Sequence, residues 1–332
     1  MAQRVTITDV ALAAGVSVST VSKVINSRDG VARETYSRVN AVIDQLGYEG
    51  SLVARSLRSH RTWVIGILVA EFEPFSTEII KGAAGALRDS EYDVLAYTGG
   101  RRSGGAGWER RYLTRLSGTL IDGAVIVTPT VVEAEAVVPV VAIDPHAGPL
   151  GFPTVDSDNF TGGILATRHL VELGHRRIGF LAGRPDLESS RLRESGYRQA
   201  LADAGIPVDE DLIRVGEYLR DSTHLPAAEL LSLADRPTAI FAANDLSAIG
   251  TLDVAQQMGI HVPSELSVVG FDDIPESAQA TPPLTTVRQA IQDMGASAIR
   301  LLLSLIDQEP VVSQHVRLPV SLVRRGSTAP LR

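Results

Sequence analysis

At 332 residues, 44% of them hydrophobic and none of them cysteine, the chain can bury a large core but can form neither disulfides nor thiolate metal sites. A net charge of −8 excludes a binder that is basic all over, yet residues 1–61 carry eight basic against five acidic side chains, a +3 head on a −11 remainder. No apolar stretch of a secretory signal follows Arg4 and no run reaches transmembrane length, so a cytoplasmic protein without a membrane partner is expected.

The first elements are two short helices joined by a tight turn. Ile7, Val10, Ala11 and Ala14 recur at helical spacing, Gly15 ends that helix, and Val16 plugs the corner. Ser17 is a good N-cap for a second helix whose inner stripe is Val21, Val24 and Ile25. Val18, Ser19, Ser22, Lys23 and Asn26 then point outward, small, polar or basic, as a helix entering a major groove requires. The unit has the pattern of a helix-turn-helix that reads DNA. A third helix runs from Val31 to Leu46, ended by Gly47, and 52–58 has room for two helical turns with Arg55 and Arg58 outside.

From Thr62 the texture alternates between apolar strand patterns and amphipathic helices. Strands are expected at Trp63–Ala70, Tyr92–Tyr97, Gly123–Val127 and Val140–Ile143, with helices at Ile79–Leu87 and Trp108–Leu116. A second series places helices at Thr161–Leu173, Leu192–Ala204 and Leu246–Met258, and strands at Arg177–Ala182, Ala239–Ala242 and Leu266–Val269. Continuous apolar strands between helices indicate parallel sheets covered on both faces, hence two similar α/β lobes. The Gly/Arg-rich stretch Gly99–Gly107 lacks the ending of a phosphate loop.

In open parallel sheets ligands bind beyond the carboxyl ends of the strands. Those ends carry Asp144, Asn244 and Asp272, with Arg193 a short loop beyond a strand of the second series. Carboxylates, an amide and a guanidinium converging in a cleft can grip vicinal hydroxyls, and Tyr218 and Phe75 offer flat faces for a sugar's C–H side. The simpler reading is that these residues cap turns and helices, with Asp245 as cap of the helix from Leu246. A carboxylate pair also serves glycoside hydrolysis, but nothing here separates a catalytic acid from a hydroxyl ligand, and no catalytic residue is assigned. His146, His169, His175, His224 and His315 lack metal-ligand spacing, so neither metal nor cofactor is expected.

The chain resembles the lactose/galactose repressor family of bacterial transcription regulators. The resemblance is carried by Val5-Thr-Ile-Thr-Asp-Val-Ala, Gly15-Val-Ser and Thr20-Val-Ser-Lys-Val-Ile-Asn26 in the head. It continues through Leu46-Gly-Tyr48, Val53-Ala-Arg-Ser-Leu-Arg58, His169 to Phe180, Ala242-Ala-Asn-Asp245, Ser267 to Asp273, Pro283-Leu-Thr-Thr286 and Ser327-Thr-Ala-Pro330. It implies a homodimer with a helix-turn-helix head (1–49), a hinge helix or linker (50–61) and a body like the periplasmic sugar-binding proteins (62–332). The first lobe would hold about 62–160 and 291–320, the second about 161–290 and 321–332. Val18, Ser19 and Lys23 match base-reading positions, and Ser17, Thr20, Ser22 and Asn26 phosphate-facing ones. Thr6 and Arg58 are further DNA-contact candidates. Leu57 falls on the position that wedges into a central base step, with Ala54 one turn before it, so a palindromic operator is implied. Asp144, Arg193, Asn244 and Asp272 match effector-contacting positions, Tyr218 the stacking aromatic, and Phe75 and Ser76 the matching loop.

Some residues depart from the pattern. Gly50-Ser51 stands where Pro-Asn is usual, which loosens the start of the hinge, and Ala32 replaces a frequent Ser. No leucine heptads follow Ser327-Thr-Ala-Pro330, so a tetramer built by such a tail is not expected. The resemblance implies a repressor of carbohydrate-use genes, controlled by a sugar between the lobes. The alternative is a corepressor type in which a purine-like ligand strengthens DNA binding. A transporter's solute-binding protein would explain the body but not the head.

Overall fold

The computed structural model describes residues 5–25, 29–47, 61–99, 108–117, 120–130, 137–147, 151–311 and 313–331. Two compact units result, 1–62 and 63–332.

In the smaller unit three helices, α1 (Ile7–Ala14), α2 (Val18–Ile25) and α3 (Arg33–Leu46), enclose Val10, Ala11, Ala14, Val21, Val24 and Val39. Thr6 and Asp9 form a reciprocal capping box at the start of α1. At its end Gly15 takes φ 65°, a conformation costly for any side chain, and the Val16 amide bonds back to the Ala11 carbonyl at 3.0 Å. The chain therefore turns sharply, and the axes of α1 and α2 differ by 104°, within the range of helix-turn-helix pairs. The third helix begins two residues later than Val31 because Ala32 is its N-cap and has no side-chain acceptor to offer. Ala32→Ser should supply one and stabilise the unit by about 1 kcal/mol. Amide exchange of the first turn of α3 checks this, and unchanged protection would refute it.

The larger unit holds two six-stranded sheets. The first contains β1 (Val64–Val69), β2 (Asp93–Thr98), β3 (Gly123–Val127), β4 (Val140–Ile143), β5 (Thr154–Ser157) and β11 (His315–Leu318). Their order is β11-β5-β4-β3-β1-β2, every pair parallel. The second contains β6 (Ile178–Ala182), β7 (Ile213–Val215), β8 (Ala239–Ala242), β9 (Ser267–Asp272), β10 (Thr285–Gln289) and β12 (Val320–Val323). Its order is β12-β10-β9-β8-β6-β7, parallel except for the edge strand β12. The inner strands are buried on both faces, as their unbroken Val/Ile/Leu runs require. The chain passes between the lobes three times, after β5, after β10 and between β11 and β12.

Around the first sheet lie α4 (Pro74–Ala86), α5 (Trp108–Leu116) and α11 (Ile291–Ile306). Around the second lie α6 (Asn159–Glu172), α7 (Glu188–Asp203), α8 (Arg220–Leu231), α9 (Asp245–Gln257) and the short α10 (Pro275–Gln279). Backbones touch between α4 and α11 in the first lobe, and between α6 and α7 and between α8 and α9 in the second. A Cβ at Gly82 of α4 would overlap the Gln292 carbonyl of α11, and one at Gly163 of α6 would overlap the Arg193 carbonyl of α7. The second contact fixes where Arg193 stands. Among the described residues no single helix is long and apolar enough to cross a membrane.

Candidate functional site

Two surfaces carry the residues singled out by sequence. On the head, Val21 and Val24 of α2 are buried, which leaves Val18, Ser19 and Lys23 exposed and Thr20 and Ser22 half-buried. The Ser17 hydroxyl accepts from the Thr20 amide at 3.2 Å, as an N-cap should, and lies 2.7 Å from the Ser19 hydroxyl and 2.9 Å from that of Thr20. Three hydroxyls thus gather at a helix N-terminus with no acidic residue in its first turn, a place that favours a phosphate. Thr6 is exposed, but its hydroxyl is already bonded to Asp9 at 2.7 Å, so capping α1 is its visible task. Asn26, Ala54, Leu57 and Arg58 lie outside the described residues.

The second surface is a cleft of about 250 Å³ lined from both lobes of the larger unit. Its walls are strand ends: Thr128 follows β3, Asp144 follows β4, Asn244 lies two residues beyond β8 and Asp272 closes β9. All seven residues expected at an effector site, Phe75, Ser76, Asp144, Arg193, Tyr218, Asn244 and Asp272, line it. Phe75 and Ser76 come from the first turn of α4, and Arg193 from α7.

Arg193 is the hub. It is 4% exposed, and its Nε donates to Asn159 Oδ1 at 2.9 Å while Nη1 donates to the Ala243 carbonyl at 2.6 Å and, more weakly, to Asp272 Oδ1 at 3.4 Å. The guanidinium lies over the Phe271 ring, 3.8 Å from its centroid. Asp272 also accepts from Gln289 Nε2 at 2.6 Å. Burial nevertheless pushes the Asp272 carboxyl up to about 7, against the pull of Arg193 and Gln289. Neighbouring Asp245 is raised by burial and by the Asp272 charge, and Asp144 by burial, with Arg193 acting against the shift.

Asp245 departs from its expected role. The cap of α9 is Asn244, whose Oδ1 accepts from the Ser247 amide at 2.9 Å, and Asp245 is the first helical residue. Fully buried, Asp245 accepts instead from the Thr286 hydroxyl and the Ile274 amide. Asn244 therefore both caps a helix and lines the cleft, and its Nδ2 donates to the Tyr218 carbonyl at 3.0 Å. That bond holds Tyr218 at φ 67°, and the ring lies where a Cβ on Gly183 would be. The Tyr218 hydroxyl is buried beside Ser189 without a hydrogen bond of good geometry.

Backbone strain gathers here as well. Eight described non-glycine residues have positive φ, and five of them, Thr128, Asp144, Glu217, Tyr218 and Asp272, line this cleft. Sequence reasoning missed Ser189, Arg184, Glu73 and His146 in the lining. Ser189 was within reach of it, standing one helical turn before Arg193. His146 was not: its carbonyl accepts from the Glu188 amide of the other lobe at 2.9 Å, a contact no local pattern encodes. Among the described residues there is no cluster of His, Asp and Glu able to hold a metal.

The raised Asp272 carboxyl implies a pH dependence of stability. From the ordinary 3.8 up to about 7 the folded chain holds a proton that the unfolded chain has lost. Its contribution is therefore fully present at low pH and is lost as pH rises through about 7. Buried His146, His169 and His175, whose pKa values are lowered by burial, act in the opposite sense up to about their ordinary 6.5. Unfolding midpoints of the wild type and Asp272→Asn from pH 5 to 8 should thus diverge in slope, the wild type losing more. Parallel curves would contradict this.

A sequence description of bacterial regulatory proteins of the lacI family matches residues 6–51, and one of a periplasmic binding protein-like domain matches 167–328. The chain is 34% identical to the HTH-type transcriptional repressor PurR of Vibrio atlanticus over 335 residues, covering 98% of this chain and 99% of that one. A solved complex of the transcriptional regulator CelR with cellobiose has 34% identity and a TM-score of 0.73, covering 98% of this chain and all of that one. A Lac repressor dimer bound to operator and the anti-inducer ONPF has 28% identity and a TM-score of 0.85, with the same coverage.

Proposed function

The chain belongs to the lacI family of bacterial regulatory proteins and is a DNA-binding transcriptional regulator, and from that premise we propose that it represses carbohydrate-use genes until a small saccharide occupies its cleft. It would act as a cytoplasmic homodimer on a two-fold symmetric operator. Val18, Ser19 and Lys23 would read bases, and Ser17, Thr20 and Ser22 would hold phosphates. Segment 50–61, with Ala54, Leu57 and Arg58, would join head to body and contact the minor groove.

The observation that carries the saccharide reading is the cleft itself. Asp144, Asn244, Asp272 and the remaining Nη2 edge of Arg193 offer paired donors and acceptors beside the apolar face of Tyr218, which suits vicinal hydroxyls above a C–H surface. A volume of about 250 Å³ lies below the roughly 300–1,000 Å³ of drug-sized sites and suits a small ligand. A second reading, a purine-like corepressor, draws on Phe75 and Tyr218 lining the same cavity, where two rings can flank a flat base. The mechanism in either case is linkage: the ligand shifts operator affinity only by its differential affinity for two arrangements of the lobes, and DNA shifts ligand affinity reciprocally.

Fluorescence anisotropy of the full-length protein on an operator selected from random duplexes tests this. A saccharide inducer lowers DNA affinity, and a purine corepressor raises it. DNA affinity that no sugar in a broad panel changes would refute sugar control. In the same assay Lys23→Ala should cost about 1–3 kcal/mol of operator binding.

A further inference from the structure

We infer that the cleft selects an uncharged or cationic saccharide and rejects phosphorylated or acidic ones, with Glu73 as the residue that sets this preference. The inference rests on the saccharide reading and narrows it by charge.

Among the described residues five carboxyl groups line the cleft, those of Glu71, Glu73, Asp144, Glu217 and Asp272, against two guanidiniums, those of Arg184 and Arg193. Both cations are engaged by the protein's own groups. Arg184 forks the Asp186 carboxylate at 3.1 and 2.6 Å, and Arg193 is bonded through Nε and Nη1 to Asn159, Ala243 and Asp272, which leaves its Nη2 edge. No lysine lines the cavity, and His146 is pushed toward its neutral form by burial. Among the described residues an incoming phosphate would meet one Arg193 edge and more carboxylates than cations, so its charge would be poorly balanced.

The remaining anion site of such a fold, a helix N-terminus, is also contested. The first turn of α4 points Phe75 and Ser76 into the cleft, but its N1 residue is Pro74, which has no amide hydrogen. Its N-cap is Glu73, whose carboxylate accepts from the Ser76 hydroxyl at 3.2 Å. The Glu73 side chain makes no capping bond to the first-turn amides, but its carboxylate, held by Ser76, stands beside the end where the helix dipole would favour a ligand anion, and competes with one there. Burial raises the Glu73 pKa, and the nearby Glu71 charge adds to the shift against the pull of the Ser76 hydroxyl. A ligand hydroxyl or ammonium donating to the carboxylate opposes that shift, and a phosphate adds to it.

The test is calorimetric titration of the full-length protein at pH 7.5 with matched pairs: glucose and glucose 6-phosphate, cellobiose and its 6′-phosphate, adenosine and AMP. Glucosamine is added as the cationic member. The expected result is that the unphosphorylated sugar binds about 100-fold or more tightly than its phosphate, the scale of placing like charges together. Glucosamine should bind at least as well as glucose, and Glu73→Gln should shrink the ratio within a sugar pair about tenfold. A phosphate that binds as well as its parent overturns the proposal, and an unchanged ratio in Glu73→Gln overturns the assignment to Glu73. If only the adenosine pair binds, the saccharide reading fails, and the ratio within that pair still decides the charge rule. Binding by none of the probes overturns both.

Discussion

Arg193→Ala is expected to destabilise the two-lobed unit by about 3–5 kcal/mol, the cost of leaving a buried partner charge uncompensated. The side chain is 4% exposed and serves Asn159, the Ala243 carbonyl and Asp272 at once, so its loss orphans an amide oxygen, a backbone oxygen and a carboxylate together. Asp272 can escape part of this cost by taking a proton, since its pKa already lies near 7. The destabilisation should therefore be larger at pH 8 than at pH 6, a sign that simple loss of packing would not give. Arg193→Lys keeps the charge but not the planar fork. It should retain more stability and still lose effector binding, because one ammonium cannot span three acceptors and keep an edge for a ligand. Urea unfolding at the two pH values and effector titration of both variants check this. A stability loss under about 1 kcal/mol in Arg193→Ala, or wild-type effector affinity in either variant, would be inconsistent with the hub role.

Gly183→Ala should weaken effector binding at least about tenfold and cost about 1–3 kcal/mol of stability, the scale of overpacking. The backbone at Gly183 is of a kind that alanine adopts freely, so the penalty comes from the added methyl, which overlaps the Tyr218 ring. The ring cannot simply slide, because Tyr218 sits at φ 67° with its carbonyl held by Asn244. A double-mutant cycle separates this cause from any other. In Tyr218→Ala the methyl has room, so adding Gly183→Ala to that background should cost almost nothing further. Additive losses would place the clash elsewhere.

The head and the strand ends were legible because their signals are local. The Gly15 turn, the Ser17 cap and the apolar stripes of α1 and α2 are fixed by neighbours a few residues away, and each was found where the pattern put it. Strands β3 and β4 and helix α5 matched residue for residue, since short apolar runs bounded by turn signals leave little room for another assignment. Helix α8 escaped notice because Pro226 lies inside it and its apolar residues make no clear stripe. The edge strands β11 and β12 escaped because their half-exposed residues resemble loop sequence.

By itself, then, the amino-acid order determined a helix-turn-helix head, two parallel α/β lobes, and the polar residues at strand ends that meet in one cleft. All of these follow from periodicity, turn chemistry and the direction of parallel strands. Only the tertiary structure decided how those residues are charged and held: that Asn244 and not Asp245 caps α9, that Arg193 is bound by Asn159 and Ala243, and that the Glu73 carboxylate is held by Ser76 beside the start of α4. These depend on desolvation and on contacts between residues up to dozens of positions apart, to which a local pattern is blind because burial and partner are properties of the folded neighbourhood.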